Sequence, residues 1–134
     1  MDILVIIGSV FVVIAAVVHI VIFFLESILW SKPAVWKVFG LRSQEHAEIV
    51  RPMAFNQGFY NAFLAVGAGT GLVMLGSANV TQGGIAITLF ACASMVLAAL
   101  VLITSSPKLA RAAILQGAAP LVAIVFLLLS LASA

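Results

Sequence analysis

Residues 3–26 read ILVIIGSVFVVIAAVVHIVIFFLE, and this stretch decides the fold. From Ile3 to Leu25 no side chain is charged, and only Gly8, Ser9 and His19 interrupt a run of Ile, Val, Leu, Phe and Ala. A helix needs about 20 such residues to cross the hydrocarbon of a bilayer. A cleaved secretory leader would show a basic start, a shorter apolar core and a small-residue cleavage site. This stretch shows none of these and is expected to persist as a helix over 3–28. Three more apolar stretches lie near 54–75, 84–104 and 112–132. The chain has 134 residues, 65% hydrophobic and 7% charged. A water-soluble domain of that size cannot hide so much apolar surface. The expected architecture is all-α: one integral membrane domain over 1–134, a four-helix bundle with a short amphipathic, interfacial segment between the first two spans.

The remaining composition excludes several classes. The formal charge is +2 and no basic stripe is present, so nucleic acid is not an expected partner. Cys92 stands alone, which excludes an intrachain disulfide and a cysteine zinc cluster. It reads as a small buried residue.

Charge also orients the chain. Lys32, Lys37, Arg42 and Arg51 fall in the first loop, and Lys108 and Arg111 in the third. The second loop, around Ser77–Gln82, has none. All six cations lie on one side, which the positive-inside rule makes cytoplasmic. The protein is therefore expected in the cell membrane as a multi-pass protein with both termini outside. Trp30 and Trp36 suit the headgroup zone. Within the first loop, Pro33 can start a short helix and Gly40 end it. Ser43 can cap a second short helix, Gln44–Val50, stopped before Pro52. Such a segment could serve as a lid or as a connector anchored by tryptophan. His46, in this loop, reads as solvated.

The few polar residues cluster by depth. At 1.5 Å rise per residue, His19 lies roughly 9 Å inside the cytoplasmic boundary and Glu26 at it. They are seven residues apart on one helix face. Asn56 and Gln57 open the second span, and Gln57, Tyr60 and Asn61 follow at i, i+3, i+4. Gln116 comes about one turn into the fourth span. Pro120 cannot donate to the carbonyl four residues back, so the backbone oxygen of Gln116 is freed, and Gly117 permits close approach. The outer half is different: Gly67-x-x-x-Gly71 is a packing seam, and Thr88, Ser94 and Thr104 can bond their own backbone. A polar group in hydrocarbon is costly, so a one-sided cluster suggests a site.

His19-Ile-x-Ile-Phe-x-Leu-Glu26 with a tryptophan soon after, Asn56-Gln57-Gly58-Phe59-Tyr60-Asn61, and Gln116-Gly117-x-x-Pro120 resemble the DUF1304 family of small bacterial membrane proteins. The resemblance covers essentially the whole chain. It implies four helices and this set of polar residues, and it implies no activity. Some members carry an epimerase label that these residues do not by themselves support.

The chemistry of the cluster allows several functions. The first is a membrane enzyme of isomerase type acting on a lipophilic small molecule with one polar end. His19, Glu26 and Tyr60 would be catalytic, as base, acidic partner and oxygen-polarising group. Asn56, Gln57, Asn61 and Gln116 would bind substrate oxygen. The second is a transporter or channel for a small solute or ion, built as a homo-oligomer; the outer half offers it no polar path. The third is a metal or haem protein: His19 with Glu26 could ligate a metal only if His46, Tyr60 or another subunit completed the shell, because two ligands are too few, and His19 could be the axial ligand of a haem. The fourth is a structural subunit in which these residues tie helices together. No cofactor can be named from the sequence, and lipid is the expected surrounding partner.

Overall fold

The computed structural model describes residues 2–77, 79 and 81–133. It is helical throughout, and four helices are long and apolar enough to cross a membrane. Helix α1 spans Ile3–Phe23 and runs straight into a π-helical turn, Phe24–Ile28. A four-residue helix α2, Pro33–Trp36, and a 3-10 turn, Lys37–Phe39, form the first loop. Helix α3 spans Gln44–Leu75 and α4 spans Thr81–Ser105. A 3-10 turn at Pro107–Leu109 leads into α5, Ala110–Ala132. The protein is a multi-pass membrane protein with the expected bundle of four long helices. Part of the second loop, Ala78 and Val80, lies outside the described residues.

The four long helices pack in chain order, and α5 closes the ring against α1. The buried positions explain how. On α1 they are Gly8, Val12, Ala15 and His19, and on α3 Ala54, Gly58, Asn61, Ala65 and Ala68. Both sets step alternately by four and three residues, the spacing that keeps one stripe on a neighbouring helix. Most of these residues are small. Lipid tails are as apolar as leucine, so helices associate in a bilayer through close packing, not through escape from water. The large side chains accordingly face outward, among them Ile3, Val10, Phe90 and Leu128. The central core gathers Val12, Ala15, Ala68, Cys92, Met95 and Leu127. Cys92 is fully buried, as its sequence context suggests.

At the α3–α4 contact, backbone nearly touches backbone. A Cβ on Gly71 would overlap Thr88 Oγ1, and one on Gly84 would lie 2.7 Å from the Leu75 nitrogen. Gly67 meets α4 only at ordinary van der Waals distance, so Gly71 is the tight member of its motif. Ser94 and Thr104 bond their own helix backbone at 2.8 Å. Thr88 does not: its hydroxyl fills the space beside Gly71 and has no partner among the described residues.

One expected boundary is corrected. The segment Gln44–Val50 is not a separate helix ended before Pro52. It is the first part of α3, with Pro52 inside the helix. Proline leaves the carbonyl of residue 48 without its helical donor. Here that carbonyl lies on a polar stretch holding Gln44, Glu45, Glu48 and Arg51, where the loss is cheap. Ser43 does cap the helix, accepting from the His46 backbone N–H at 3.2 Å.

The first loop has a core of its own. Trp30 and Trp36 are 6% and 4% exposed. They pack with Val35, Ala47 and Ala54. Trp30 Nε1 donates to the Ala47 carbonyl at 2.9 Å, and Trp36 Nε1 to Gln44 Oε1 at 3.0 Å. Gly40, in the left-handed conformation at φ 82°, turns the chain between the 3-10 turn and α3. Two indole clasps thus fix the loop onto the first turns of α3. Trp30→Phe keeps the ring and removes the donor. It is expected to cost about 1 kcal/mol, read as a lowered midpoint in denaturant titration with helix content unchanged.

Candidate functional site

The site grows from the π-helical turn. Leu29 N–H bonds the Phe24 carbonyl five residues back at 2.8 Å, which inserts one residue into the helical ladder. Such turns recur at functional sites. The result is that two consecutive polar residues meet α3. Glu26 is 8% exposed and accepts from Asn61 Nδ2 at its Oε2, 3.0 Å away. Ser27 Oγ donates to the Phe55 carbonyl at 2.9 Å. Gly58 makes this approach possible: a Cβ there would overlap Ser27 Oγ and lie 3.1 Å from Glu26 Cβ.

Asn61 is itself held, since its Nδ2 also donates to the Gln57 carbonyl at 3.1 Å. The carboxamide therefore anchors one carboxylate oxygen of Glu26 in a fixed place. Glu26 Oε1 has no hydrogen-bond partner among the described residues. The carboxylate borders an open cleft of about 270 Å³. Trp30, Phe39 and Leu41 of the loop form one side, and Val50, Ala54 and Gln57 of α3 form another. Glu26 is the single ionisable side chain among the lining residues. The cation nearest in sequence on α3, Arg51, pairs instead with Glu48 at 3.4 Å.

The structure brings together only part of the predicted cluster. Glu26, Gln57 and Asn61 assemble around the cleft and its floor. His19 does not line it. His19 is 1% exposed, shares the inward face of its helix with Glu26, and its Nδ1 bonds the Ala15 carbonyl at 2.9 Å. Tyr60 is 56% exposed on the outer surface of α3, and Asn56 is exposed as well. Three and four residues from Gln57 point to different sides here because the α3 stripe that faces α1 is narrow. Gly58 and Asn61 fill it, and Tyr60 falls outside it. Gln116 is half-buried and its side chain makes no hydrogen bond with the described residues. Gly8 packs against Ala123 and Leu127, so the antiparallel register sets His19 at about the depth of Gln116. No hydrogen bond joins them. Among the described residues, no three His, Cys, Asp or Glu side chains lie close enough to hold a metal ion.

Sequence reasoning missed Ser27, Gly58, Phe39 and Leu41. Ser27 follows Glu26 directly, and two polar residues in succession cannot share one α-helical face.

These same segments meet a family model described as "Protein of unknown function (DUF1304)", which matches residues 13–128. The chain belongs to the DUF1304 family. The matched span includes the π turn, the cleft and the whole of α3 and α4. No curated protein and no solved structure matches the chain.

Proposed function

We propose that this DUF1304 protein binds a lipophilic small molecule with one polar end in the cleft at Glu26, and that it moves a proton there in an isomerase-type reaction. The observation that carries this reading is the lone carboxylate in a largely apolar cleft, fixed on one oxygen by Asn61. A single positioned carboxylate can take a proton from an acidic carbon and return it, on the same face, to another carbon of the same allylic system. Atoms and charge then balance without a cofactor. Gln57, on the cleft wall, carries a carboxamide able to donate to a carbonyl or hydroxyl oxygen as charge develops on it. The apolar walls take the rest of the molecule. His19 and Tyr60 have no part in this scheme.

All six lysines and arginines lie in or beside the loops at the cleft end of the bundle. By the positive-inside rule the cleft opens toward the cytoplasmic leaflet, with both termini outside. The test is to incubate the detergent-solubilised protein in D2O with a total lipid extract and to follow deuterium by mass spectrometry. Carbon-bound deuterium appearing in one lipophilic species, beyond that seen without protein, supports the proposal. No such incorporation at any pH at which the helices persist rejects it.

A further inference from the structure

A second depression lies on the α4–α5 wall. It encloses about 260 Å³ and is bounded by Val96, Ala99 and Ile103 on α4 and by Ile114, Ala118 and Leu121 on α5. All of its lining residues are apolar. At its floor the two helices lie close together, since a Cβ on Gly117 would lie 2.8 Å from Ala99 Cβ. Along α5 it runs from Ala113 to Leu121. That is about 12 Å at 1.5 Å per residue, against roughly 15 Å for one leaflet of a 30 Å hydrocarbon core.

The end of this groove is charged. Arg111 precedes Ile114, Ala118 and Leu121 by three, seven and ten residues, which puts it on the same face of α5 just beyond the groove. Lys108 lies in the adjoining 3-10 turn. Both are exposed, and neither has an acidic partner among the described residues. We infer that this groove is a site for an anionic phospholipid, with one acyl chain between α4 and α5 and the phosphate meeting Arg111 and Lys108. A groove of leaflet depth accounts for the chain, and the paired cations account for the sign of the headgroup. Basic pockets between membrane helices are a recognised way to hold acidic headgroups.

The experiment is native mass spectrometry of delipidated protein given equal phosphatidylglycerol and phosphatidylcholine of the same chain lengths. The parent is expected to retain phosphatidylglycerol preferentially, with each basic residue contributing about fivefold. Arg111→Gln should lower the preference about fivefold. Arg51→Gln, at the same end but on α3, should leave it unchanged. Ala118→Phe should fill the groove and reduce retention of both lipids while the helix content is kept. Equal retention of the two lipids by the parent overturns the proposal. So does an Arg51→Gln effect as large as that of Arg111→Gln, which would mean general charge attraction. Protection against thermal unfolding by inorganic phosphate equal to that by phosphatidylglycerol also overturns it. A dimer that Ala118→Phe dissolves would assign the groove to a second copy instead.

Discussion

Glu26→Gln is expected to abolish proton movement at the cleft while leaving the bundle folded. The substitution keeps the size of the side chain and an oxygen that can accept from Asn61 Nδ2, the bond now 3.0 Å long. It removes the group proposed to take and return the proton. General acid–base groups contribute typically 10²–10⁴-fold to rate, so deuterium incorporation should fall by at least about 100-fold. His19→Gln is the comparison. His19 lies inside helix packing with its Nδ1 on the Ala15 carbonyl, away from the cleft lining. Its replacement should leave incorporation within about threefold of the parent, too little to mark a lost acid–base group. Loss in the histidine variant, with the glutamine variant unaffected, would reverse the assignment of the two residues.

Gly58→Leu should have the largest effect on structure. Gly58 is the point at which α3 lies against the π turn. Even one added carbon would overlap Ser27 Oγ and press on Glu26 Cβ and the Ser27 backbone at 3.1 Å. Two of those three atoms cannot swing away as a flexible side chain would. Overpacking in a filled core costs typically 1–3 kcal/mol. With a four-carbon side chain, about 3 kcal/mol is the expected loss. The Ser27–Phe55 and Asn61–Glu26 bonds should break together, because both depend on the same approach. Gly58→Ala should give a smaller loss, about 1 kcal/mol, with partial proton exchange. Thermal unfolding in detergent reads the first effect and D2O incorporation the second. A Gly58→Leu variant as stable as the parent would show that the two helices do not meet as described.

Much of this was legible before the structure. The four apolar runs determined the fold class, because no other structure satisfies backbone polar groups in lipid so simply. Glu26, Gln57 and Asn61 stood out, together with His19, Asn56, Tyr60 and Gln116, because polar side chains are costly there. What could not be read was direction. Tyr60 and Asn61 are neighbours in sequence, yet one is exposed and the other buried. A run such as Asn56–Asn61 covers nearly two turns, so it meets every side of its helix. Only the neighbour selects the inner residues, and the neighbour is selected by Gly58. The extra residue of the π turn was hidden for a related reason. It shifts which of Glu26 and Ser27 face inward, and hydropathy is indifferent to that. The long α3 was obscured by Pro52, which local preference places at a boundary. The tryptophan clasps on Ala47 and Gln44 hold the preceding turns in place regardless.

The length of α3 has a consequence for access. Its 32 residues extend about 48 Å at 1.5 Å per residue, well beyond the ~30 Å hydrocarbon core. The surplus is the polar first portion, and the clasped loop rides on it. By length and composition alone, the mouth of the cleft falls at about headgroup level. On the proposed function, a guest would arrive by lateral diffusion from the leaflet, its contact with water already given up. Its abundance at the mouth is set by partitioning, which grows with each methylene by about 0.8 kcal/mol. Tight grip by the protein then becomes unnecessary. A shallow, open cleft with Glu26 and Gln57 as its polar groups would then suffice, because the bilayer would do the concentrating.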